Sequence, residues 1–442
     1  MRTTRPGPSP SRGLLFCGAL ALLLPAASAA QGDVYLKLST SERKQIALAV
    51  GRLRIIGKPS MADAAAAGQL LRIVADDLTF SLYYRMIEPP PDTGFGFRRD
   101  AIDHEAWRLI GAELVLVPSL TAAKGSVACT VAVHDLAQRR EIHRRALPLA
   151  QGRGAAHAAS DEIILRTAGE RGVSRTRIAY CGKAGTGKEL MVMDYDGYGA
   201  SRLTAFGSTV LSPDWSPDGS RIALTSFAGP QTVIYSLDLT ARSSRALLRQ
   251  NGLNVSPAWS PDGSSLALSA SREGNPEIMV YDLRANAQRR LTNSWAIDVS
   301  PAWSPSGREI AFVSDRAGTP QLYIMDADGG NLRRLTFEGN YNTSPAWSPK
   351  GDLIAFVSRV NGKFQVCTIA PTGEGYAQLT FQGDNEDPSW SPDGLHLAFS
   401  SDRAGSDDIW LMHWDGSEQH PVPTTGGATM PAWSPFLPEQ KP

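Results

Sequence analysis

The second half of the chain repeats one pattern of short apolar strands separated by polar turns. The fixed point of the pattern is a Trp-Ser-Pro segment, which returns every 43 or 44 residues. A period in the low forties is typical of a four-stranded propeller blade and is longer than a tetratricopeptide or ankyrin repeat. The tryptophans of the segment are Trp215, Trp259, Trp303, Trp347, Trp390 and Trp433.

Each unit continues with the same succession of elements. Pro-Asp-Gly follows the tryptophan strand, as at 217–219, where Pro presets φ and Gly accepts a positive φ in a tight hairpin. An apolar strand such as 310–312 comes next, then a third strand at 322–326, a second hairpin at Asp328-Gly329 and a fourth strand at 334–336. Four strands per unit and six units predict a six-bladed β-propeller, because radial closure removes the exposed sheet edges.

The two ends of the repeat predict how the ring closes. The first unit begins at Ile178 without a tryptophan strand, and the sixth Trp-Ser-Pro segment has no strands after it. Together they make one blade, so residues 430–436 are expected to pair beside residues 177–181. The repeated indole is expected to pack between blades, burying roughly 150–250 Å².

Residues before the repeat predict a different kind of fold. Ser60 and Asp63 form a capping-box pattern ahead of a helix, and further helices are expected at 103–110 and at 155–167, the last ending at Gly169. Strands are expected at 114–117, 127–133 and 142–147. The fold class is therefore mainly β with α/β: a small α/β domain at 31–172, then the propeller at 173–442.

The first thirty residues predict a secretory signal peptide. Arg2, Arg5 and Arg12 precede the apolar run 14–24, and small residues follow at 26–30. The run is too short for a transmembrane helix, so the mature chain is expected in the periplasm without a membrane span. A net charge of zero over 442 residues argues against nucleic acid as a partner.

Several motifs imitate catalytic or cofactor sites. Residues 182–188 match the spacing of a phosphate-binding loop as far as Lys188, but Glu189 stands where Ser or Thr should hold magnesium. The Asp-x-Asp-Gly turns lack the twelfth-position acid of a calcium loop. The cysteines 129, 181 and 367 and the scattered histidines form no metal pattern. No cofactor, metal or catalytic residue is predicted, and a Gly-x-Ser-x-Gly elbow is absent from the sequence.

The loops that lead into the tryptophan strands are the candidate binding site, because polar loops that vary on a rigid scaffold are where binding commonly lies. They begin the innermost strands and are expected to ring the channel mouth, although they could also be merely solvated strand ends. A ring containing Asp298, Glu386 and Asp387 could also hold a cation. The candidate residues are Ser212, Asn254, Val255, Ser256, Asp298, Val299, Ser300, Asn342, Thr343, Ser344, Glu386, Asp387 and Thr429.

The order of these parts resembles the TolB family of the Tol–Pal cell-envelope system. The resemblance rests on the cleaved signal, the small α/β domain and the Ser-Pro-x-Trp-Ser-Pro-Asp-Gly repeats, as at 256–263, and it covers essentially the whole mature chain. It implies a protein without catalysis. By resemblance, the channel mouth receives the lipoprotein Pal, and other envelope proteins remain open as partners.

The resemblance also implies that the mature N-terminal segment binds TolA, and that both contacts support outer-membrane invagination at division and envelope integrity. Carried over by position, the segment comprises Asp33, Val34, Tyr35 and Leu36. It could add to a partner as a strand, or could be an ordinary first strand of its own domain. The alternative function is a periplasmic peptidase-like or glycan-processing propeller protein, which would need a catalytic constellation.

Overall fold

A computed structural model describes residues 44–91, 95–98, 101–123, 126–272, 274–424 and 426–438. The predicted signal peptide at 1–30 and the candidate TolA segment at 33–36 lie outside the described residues. Within the described ranges, no helix combines the length and the apolar run that crossing a bilayer would require. The division of the chain at residues 172 and 173 stays a prediction.

The N-terminal part is a mixed sheet with helices packed against it. The strand order is β3-β1-β6-β7-β8, with β2 beside β6 on the side that β1 also occupies. The strands β1 and β2 run parallel to β6, whereas β7 and β8 continue the sheet antiparallel. The elements are β1 (Ile46–Val50), β2 (Arg54–Ile56), α1 (Met61–Phe80), β3 (Tyr84–Ile87), β4 (Phe97–Arg98), β5 (Ala101–Ile102), α2 (His104–Leu109), β6 (Leu114–Ala123), β7 (Ser126–Asp135), β8 (Arg140–Leu147) and α3 (Gly152–Ala168).

The core of this part follows the alternation of side chains along β1 and β6. Leu48 and Leu116 pack against α1 and α3, whereas Ala49 and Val115 face the buried ring of Trp107 on the other side of the sheet. The sequence predicts a strand only at 114–117, but β6 runs on through Pro118. Its missing N–H is tolerated because β1 pairs with residues 114–116 and β2 with residues 119–121, which leaves Pro118 between the two.

The predicted start of α1 at Ser60 and the predicted stop of α3 at Gly169 are confirmed, whereas α3 begins at Gly152 and not at residue 155. Ser60 caps α1: its hydroxyl accepts from the Asp63 N–H at 3.1 Å, and its own N–H donates to the Asp63 carboxylate at 3.3 Å. At the other end of the domain, Gly169 takes a left-handed conformation with φ of 74° and ends α3. Glycine fits that position because it has no Cβ to clash.

Within the described residues, the rest of the chain forms six four-stranded antiparallel sheets, which confirms the six-bladed propeller. Blade 1 contains β9 (Arg177–Ala184), β10 (Gly187–Asp194) and β11 (Ser201–Arg202). The other strands are β12 (Val210–Trp215), β13 (Arg221–Ser226), β14 (Val233–Asp238) and β15 (Ser243–Leu248) in blade 2, β16 (Asn254–Trp259), β17 (Ser265–Ala270), β18 (Glu277–Asp282) and β19 (Ala287–Arg290) in blade 3, β20 (Asp298–Trp303), β21 (Glu309–Ser314), β22 (Gln321–Asp326) and β23 (Arg333–Arg334) in blade 4, β24 (Asn342–Trp347), β25 (Ile354–Val360), β26 (Lys363–Ile369) and β27 (Ala377–Gln378) in blade 5, and β28 (Asn385–Trp390), β29 (His396–Ser401), β30 (Asp408–His413) and β31 (His420–Pro421) in blade 6.

The last strand, β32 (Thr429–Trp433), completes blade 1 and closes the ring. It pairs with β9 so that Thr429 lies opposite Cys181 and Trp433 opposite Ile178. This is the predicted closure, in which the end of the repeat supplies the inner strand that the first unit lacks. The loop-like motif at 182–188 is the β9–β10 hairpin and not a phosphate-binding loop.

The repeated tryptophans lie between blades, as predicted. The Trp259 ring packs with Ala223 of the preceding blade, and it is 5 % exposed. Three of the indole N–H groups also bond the preceding blade. Trp215 donates to the carbonyl of Ala432 at 3.0 Å, Trp303 to that of Ala258 at 3.2 Å and Trp390 to that of Ala346 at 3.0 Å. These three rings therefore join their own inner strands to those of the preceding blades.

The end of α1 contacts both blades that meet at the closure. Asp77, which is 2 % exposed, accepts from the Tyr195 hydroxyl of blade 1 at 2.6 Å and from Nδ1 of His157 at 2.9 Å. The Phe80 ring stacks on His396 of blade 6 at a centroid distance of 3.9 Å, and the Nε2–H of His396 donates to the Phe80 carbonyl at 2.7 Å. The helix therefore spans the seam between the first and last blades.

Blades 1 and 6 differ from the others at the positions that meet the N-terminal part. Backbone hydrogen bonds identify Tyr195 and Trp414 as equivalents of Leu239, Leu283 and Ala327. Leu395, equivalent to Ser220, Ser264 and Arg308, is buried in the same core cluster as Leu70 and Ile163. These are departures from the repeat: aromatic rings replace smaller apolar residues at one position, and in blade 6 Leu395 replaces a polar residue at the other.

We predict that Phe80→Ala destabilises the protein, because it removes the ring packed in the cluster between blades 1 and 6. The expected loss is about 2–3 kcal/mol of unfolding free energy, slightly below the range for fully buried rings. The matched control is Met61→Ala on the same helix, where the side chain is 91 % exposed. Equal denaturant midpoints for the two variants, followed by tryptophan fluorescence, would show that α1 does not stabilise the seam.

Candidate partner-binding site at the channel mouth

The inner strand of every blade carries a bulge that turns one residue toward the central channel. In β20, for example, the pairing with β21 shifts between Val299 and Ala302. The bulge residue has a positive φ of 50° to 54° in all six blades of the described propeller. The bulge residues are Ser212, Ser256, Ser300, Ser344, Asp387 and Met430.

Hydrogen bonds from the preceding blade hold these strained residues in place. The N–H of Ser300 donates to the Ser269 hydroxyl at 3.0 Å, and the N–H of Met430 donates to the Ser400 hydroxyl at 3.0 Å. A positive φ outside glycine persists only where the surroundings fix it. The repeated bulge therefore gives the channel a rigid wall, with a proline after each bulge residue. The cavity inside this wall measures about 480 Å³.

Two carboxylates interrupt the uncharged wall. Asp387 stands where four other blades carry serine, and Asp214 stands where the others carry alanine or serine. Burial raises the pKa of Asp214 to about 7, although the backbone N–H of Trp259 donates to this carboxylate at 2.6 Å. Burial, together with the neighbouring Glu386, raises the pKa of Asp387 to about 7. The charge of the channel therefore changes near neutral pH.

The first residues of the inner strands are buried, contrary to the expectation that they ring the mouth. Asn254, Asp298 and Asn342 are 1 %, 0 % and 0 % exposed. Each bonds its own lead-in loop: the Asn342 side-chain amide, for example, donates to the backbone carbonyl of Glu338 at 2.8 Å and also to Oε1 of Gln321 at 2.9 Å. Their burial removes these three residues from the surface that a partner can touch.

A repeated threonine completes this buried network. Thr336 donates to the Gln321 side chain at 2.7 Å, and Thr380 donates to the Gln365 side chain at 2.8 Å. Thr292 bonds Glu277 in the same way. The sequence contains a signal for this pairing: in four units, a threonine preceded by leucine lies fifteen residues after a Glu or Gln. These recurring polar residues therefore bond one another inside the blade and are not available to a partner.

The suggested cation ring is wrong for Asp298. Its carboxylate lies against the Arg316 guanidinium at 2.8 Å, so it is neutralised within its own blade. Glu386 and Asp387 do come together, on β28 beside the closing strand. Lys188 lies near them and donates to the Thr429 hydroxyl at 2.7 Å.

The remaining candidates share one end of the channel, which we call the mouth face. Val255, Val299 and Thr343 follow the buried residue of their strands and are half-buried, and Glu386 is exposed at the equivalent place. The opposite end, which we call the hairpin face, carries the Pro-Asp-Gly and Asp-x-Asp-Gly turns. The contacts of α1 with Tyr195 and His396 lie on the hairpin face.

One group of potential metal ligands lies at the contact of α3 with blade 1. A ligand atom of each of His157, Asp194 and Asp196 lies within 4.8 Å of the others. Arg153 already pairs with Asp196, and Asp77 binds His157. The group is therefore balanced by an internal cation and fits a structural contact between the two parts of the chain.

Fold and channel together define a six-bladed β-propeller protein with an N-terminal α/β domain. The family model described as TolB beta propeller domain matches residues 165–437, and the one described as TolB amino-terminal domain matches residues 34–142. The propeller match covers more than half of the chain. The chain belongs to the TolB family.

Individual relatives agree with this assignment. The "Tol-Pal system protein TolB" of Chromobacterium violaceum is 31 % identical over 246 residues, covering 55 % of this chain and 56 % of the relative. That of Geobacter sulfurreducens is 39 % identical over 214 residues, covering 47 % and 49 %. The chain spans about half the length of the curated relatives it matches. The crystal structure of TolB from Acinetobacter baumannii superposes with a TM-score of 0.75 at 28 % identity, covering 89 % of this chain and 97 % of that one.

We predict that Asp298→Ala destabilises the protein because Arg316 is left without its buried partner. The expected loss is about 3 kcal/mol, as for other buried pairs with one member removed. Val299→Ala is the control on the same strand, where the side chain is half-buried. If both variants unfold at the same urea concentration, Asp298 has no structural role of this kind.

We also predict a pH-dependent effect of Asp387→Asn. The folded protein holds the Asp387 proton up to a pKa of about 7, whereas an unfolded chain releases it near 3.8, so wild-type stability falls as the pH rises between these values. The variant lacks this loss, and its melting temperature relative to wild type should increase from pH 5 to pH 8. Asp218→Asn is the control, because hydrogen bonds from Ser216 and Ser220 outweigh desolvation and lower the Asp218 pKa. If the melting temperatures of wild type and Asp387→Asn change in parallel with pH, the pKa of Asp387 is not raised in the folded protein.

Proposed function

We propose that this chain is a periplasmic, non-catalytic adaptor of the Tol–Pal system that binds the lipoprotein Pal at the mouth face. Membership of the TolB family supports the system, and the relatives carry the name of that system. The adaptor supports outer-membrane invagination at division and the integrity of the envelope. Its role is to present a rigid surface to its partners.

The position of the α1 contacts is the observation that carries the choice of face. Tyr195 and His396 bind α1 on the hairpin face, at the opposite end of the channel from Val255 and Thr343. The mouth face also combines half-buried apolar side chains with exposed acidic ones around a concave opening. Such a rigid concave surface suits a folded protein or a protruding segment of one.

The N-terminal segment Asp33–Leu36 is the proposed TolA contact. The proposal rests on the position of the segment in the family and on its extended apolar sequence, which suits strand addition to a partner. Deleting residues 33–36 from the mature protein should abolish TolA binding and leave Pal binding unchanged. Unchanged TolA binding would instead favour an ordinary strand of the N-terminal domain.

The alternative function, a propeller enzyme, predicts that the pure protein turns over a substrate. A peptidase or glycosidase needs a nucleophile with its base, or a pair of carboxyl groups placed about the scissile bond. Turnover of peptide or peptidoglycan substrates by the pure mature protein, abolished by Asp214→Asn or Asp387→Asn, would replace the adaptor proposal.

We predict that Val255→Arg and Thr343→Arg each weaken binding of the soluble domain of Pal by at least tenfold, because a bulky charged side chain obstructs the mouth. A tenfold loss corresponds to about 1.4 kcal/mol. Leu332→Arg is the control, since Leu332 is 43 % exposed on the hairpin face. Isothermal titration calorimetry gives the affinities, and melting curves establish that the variants are folded. If all three variants bind Pal as tightly as wild type does, Pal does not bind at the mouth face.

A further inference from the structure

Three successive connections between blades place an exposed aromatic side chain on the mouth face. Trp295, Phe337 and Phe381 are each 72 % exposed, and they lie between blades 3 and 4, 4 and 5, and 5 and 6. Large apolar side chains this exposed contribute little to the core, and grouped together they mark interaction surfaces. We call Trp295, Phe337 and Phe381 the aromatic arc.

Repeat equivalence shows that the arc is a departure from the blade pattern. Phe337 and Phe381 each follow a threonine whose hydroxyl accepts a hydrogen bond from a backbone N–H of the third strand. After the equivalent threonines Thr204 and Thr292 come Ala205 and Asn293. The blade therefore folds equally well with a small or polar residue there, and folding alone does not account for two phenylalanines.

Arg334 contacts both the Phe337 ring and the loop that carries it. The Arg334 guanidinium lies 4.9 Å from the centre of the Phe337 ring, and its Nε donates to the Thr336 carbonyl at 2.6 Å. A fixed aromatic ring loses little conformational entropy on binding, which is why such rings act as anchors in interfaces.

Beside Phe381 the mouth face is acidic. Asp384 and Glu386 lie at the start of β28, Asp402 and Asp407 lie in the connection between β29 and β30, and Glu386 and Asp407 are exposed. Burial and then Asp384, Asp407 and Asp402 raise the pKa of Glu386, which shows that these carboxylates act on one another. Three cations compensate part of this charge: Lys363 pairs with Asp384 at 2.6 Å, Lys188 acts on Glu386, and Arg403 donates to the side chain of Asn385 at 2.5 Å. This part of the mouth face therefore combines exposed aromatic side chains with neighbouring carboxylates.

We propose that the partner at the channel mouth extends outward over blades 4 to 6 only, with an apolar contact on the aromatic arc and basic side chains opposite Glu386 and Asp407. The occupant is a folded protein with an apolar patch bordered by lysine or arginine. This inference rests on the proposed function and adds to it the side of the ring on which the partner lies.

The test is a set of paired variants titrated with the soluble domain of Pal. Phe337→Ala and Phe381→Ala should each weaken binding about tenfold, as expected for anchor residues. Leu332→Ala, on the hairpin face of blade 4, should leave the affinity unchanged. Glu386→Lys should weaken binding and flatten its dependence on salt, because charge attraction is screened as ionic strength rises. Glu374→Lys, the same charge change on the hairpin face, should do neither.

The outcomes separate this inference from the proposed function. If wild type does not bind Pal, the proposed function fails together with its extension. If wild type binds but Phe337→Ala and Phe381→Ala bind equally well, only the sector assignment is wrong. Self-association of wild type in sedimentation, lost in Phe381→Ala while Pal affinity is unchanged, would assign the arc to a second copy of the chain and overturn the inference.

Discussion

The pairing of β32 with β9 is the contact on which the molecule depends. It joins residues 429–433 to residues 178–181, which lie about 250 positions apart in the chain. Without it, blade 1 would lack an inner strand and the channel would have a gap in its wall. The entropy lost in closing so long a loop grows only slowly with its length, but closure still needs contacts that reward it.

Those contacts come from both sides of the seam. Trp433 donates to the Thr176 hydroxyl at 2.8 Å, and its ring lies in the apolar cluster between blades 1 and 6. On the hairpin face, α1 adds Asp77 against Tyr195 and Phe80 against His396. The N-terminal domain therefore contacts the two blades, 1 and 6, that lie next to the closing strand, and docking of the domain stabilises closure.

The sequence predicted the parts of the fold that repeat. The six blades, the closure and the inter-blade tryptophans follow from one period, because the same local sequence must fold the same way six times. It did not predict the contact of α1 with the seam, since Tyr195, Leu395 and His396 carry no local pattern and meet α1 only in three dimensions. The candidate site was only partly identified: position in the unit indicated the mouth face, but polarity was a poor guide to exposure. Asn254 and Asn342 are polar because they bond the connections from the preceding blade, and Asp298 is polar because it pairs with Arg316.

Differences between equivalent positions are more informative about function than the repeat itself. A residue shared by most blades is explained by the blade, as the serine bulges and the Thr–Gln pairs are. A residue that departs from its equivalents needs a cause outside the blade. For Tyr195, Leu395 and Trp414 that cause is the N-terminal domain. For Asp387, which places titratable charge in an uncharged wall, and for Phe337 and Phe381, which are exposed, the blade supplies no such cause. These departures gather on the channel and the mouth face, so selection by something that binds there accounts for them more simply than folding does.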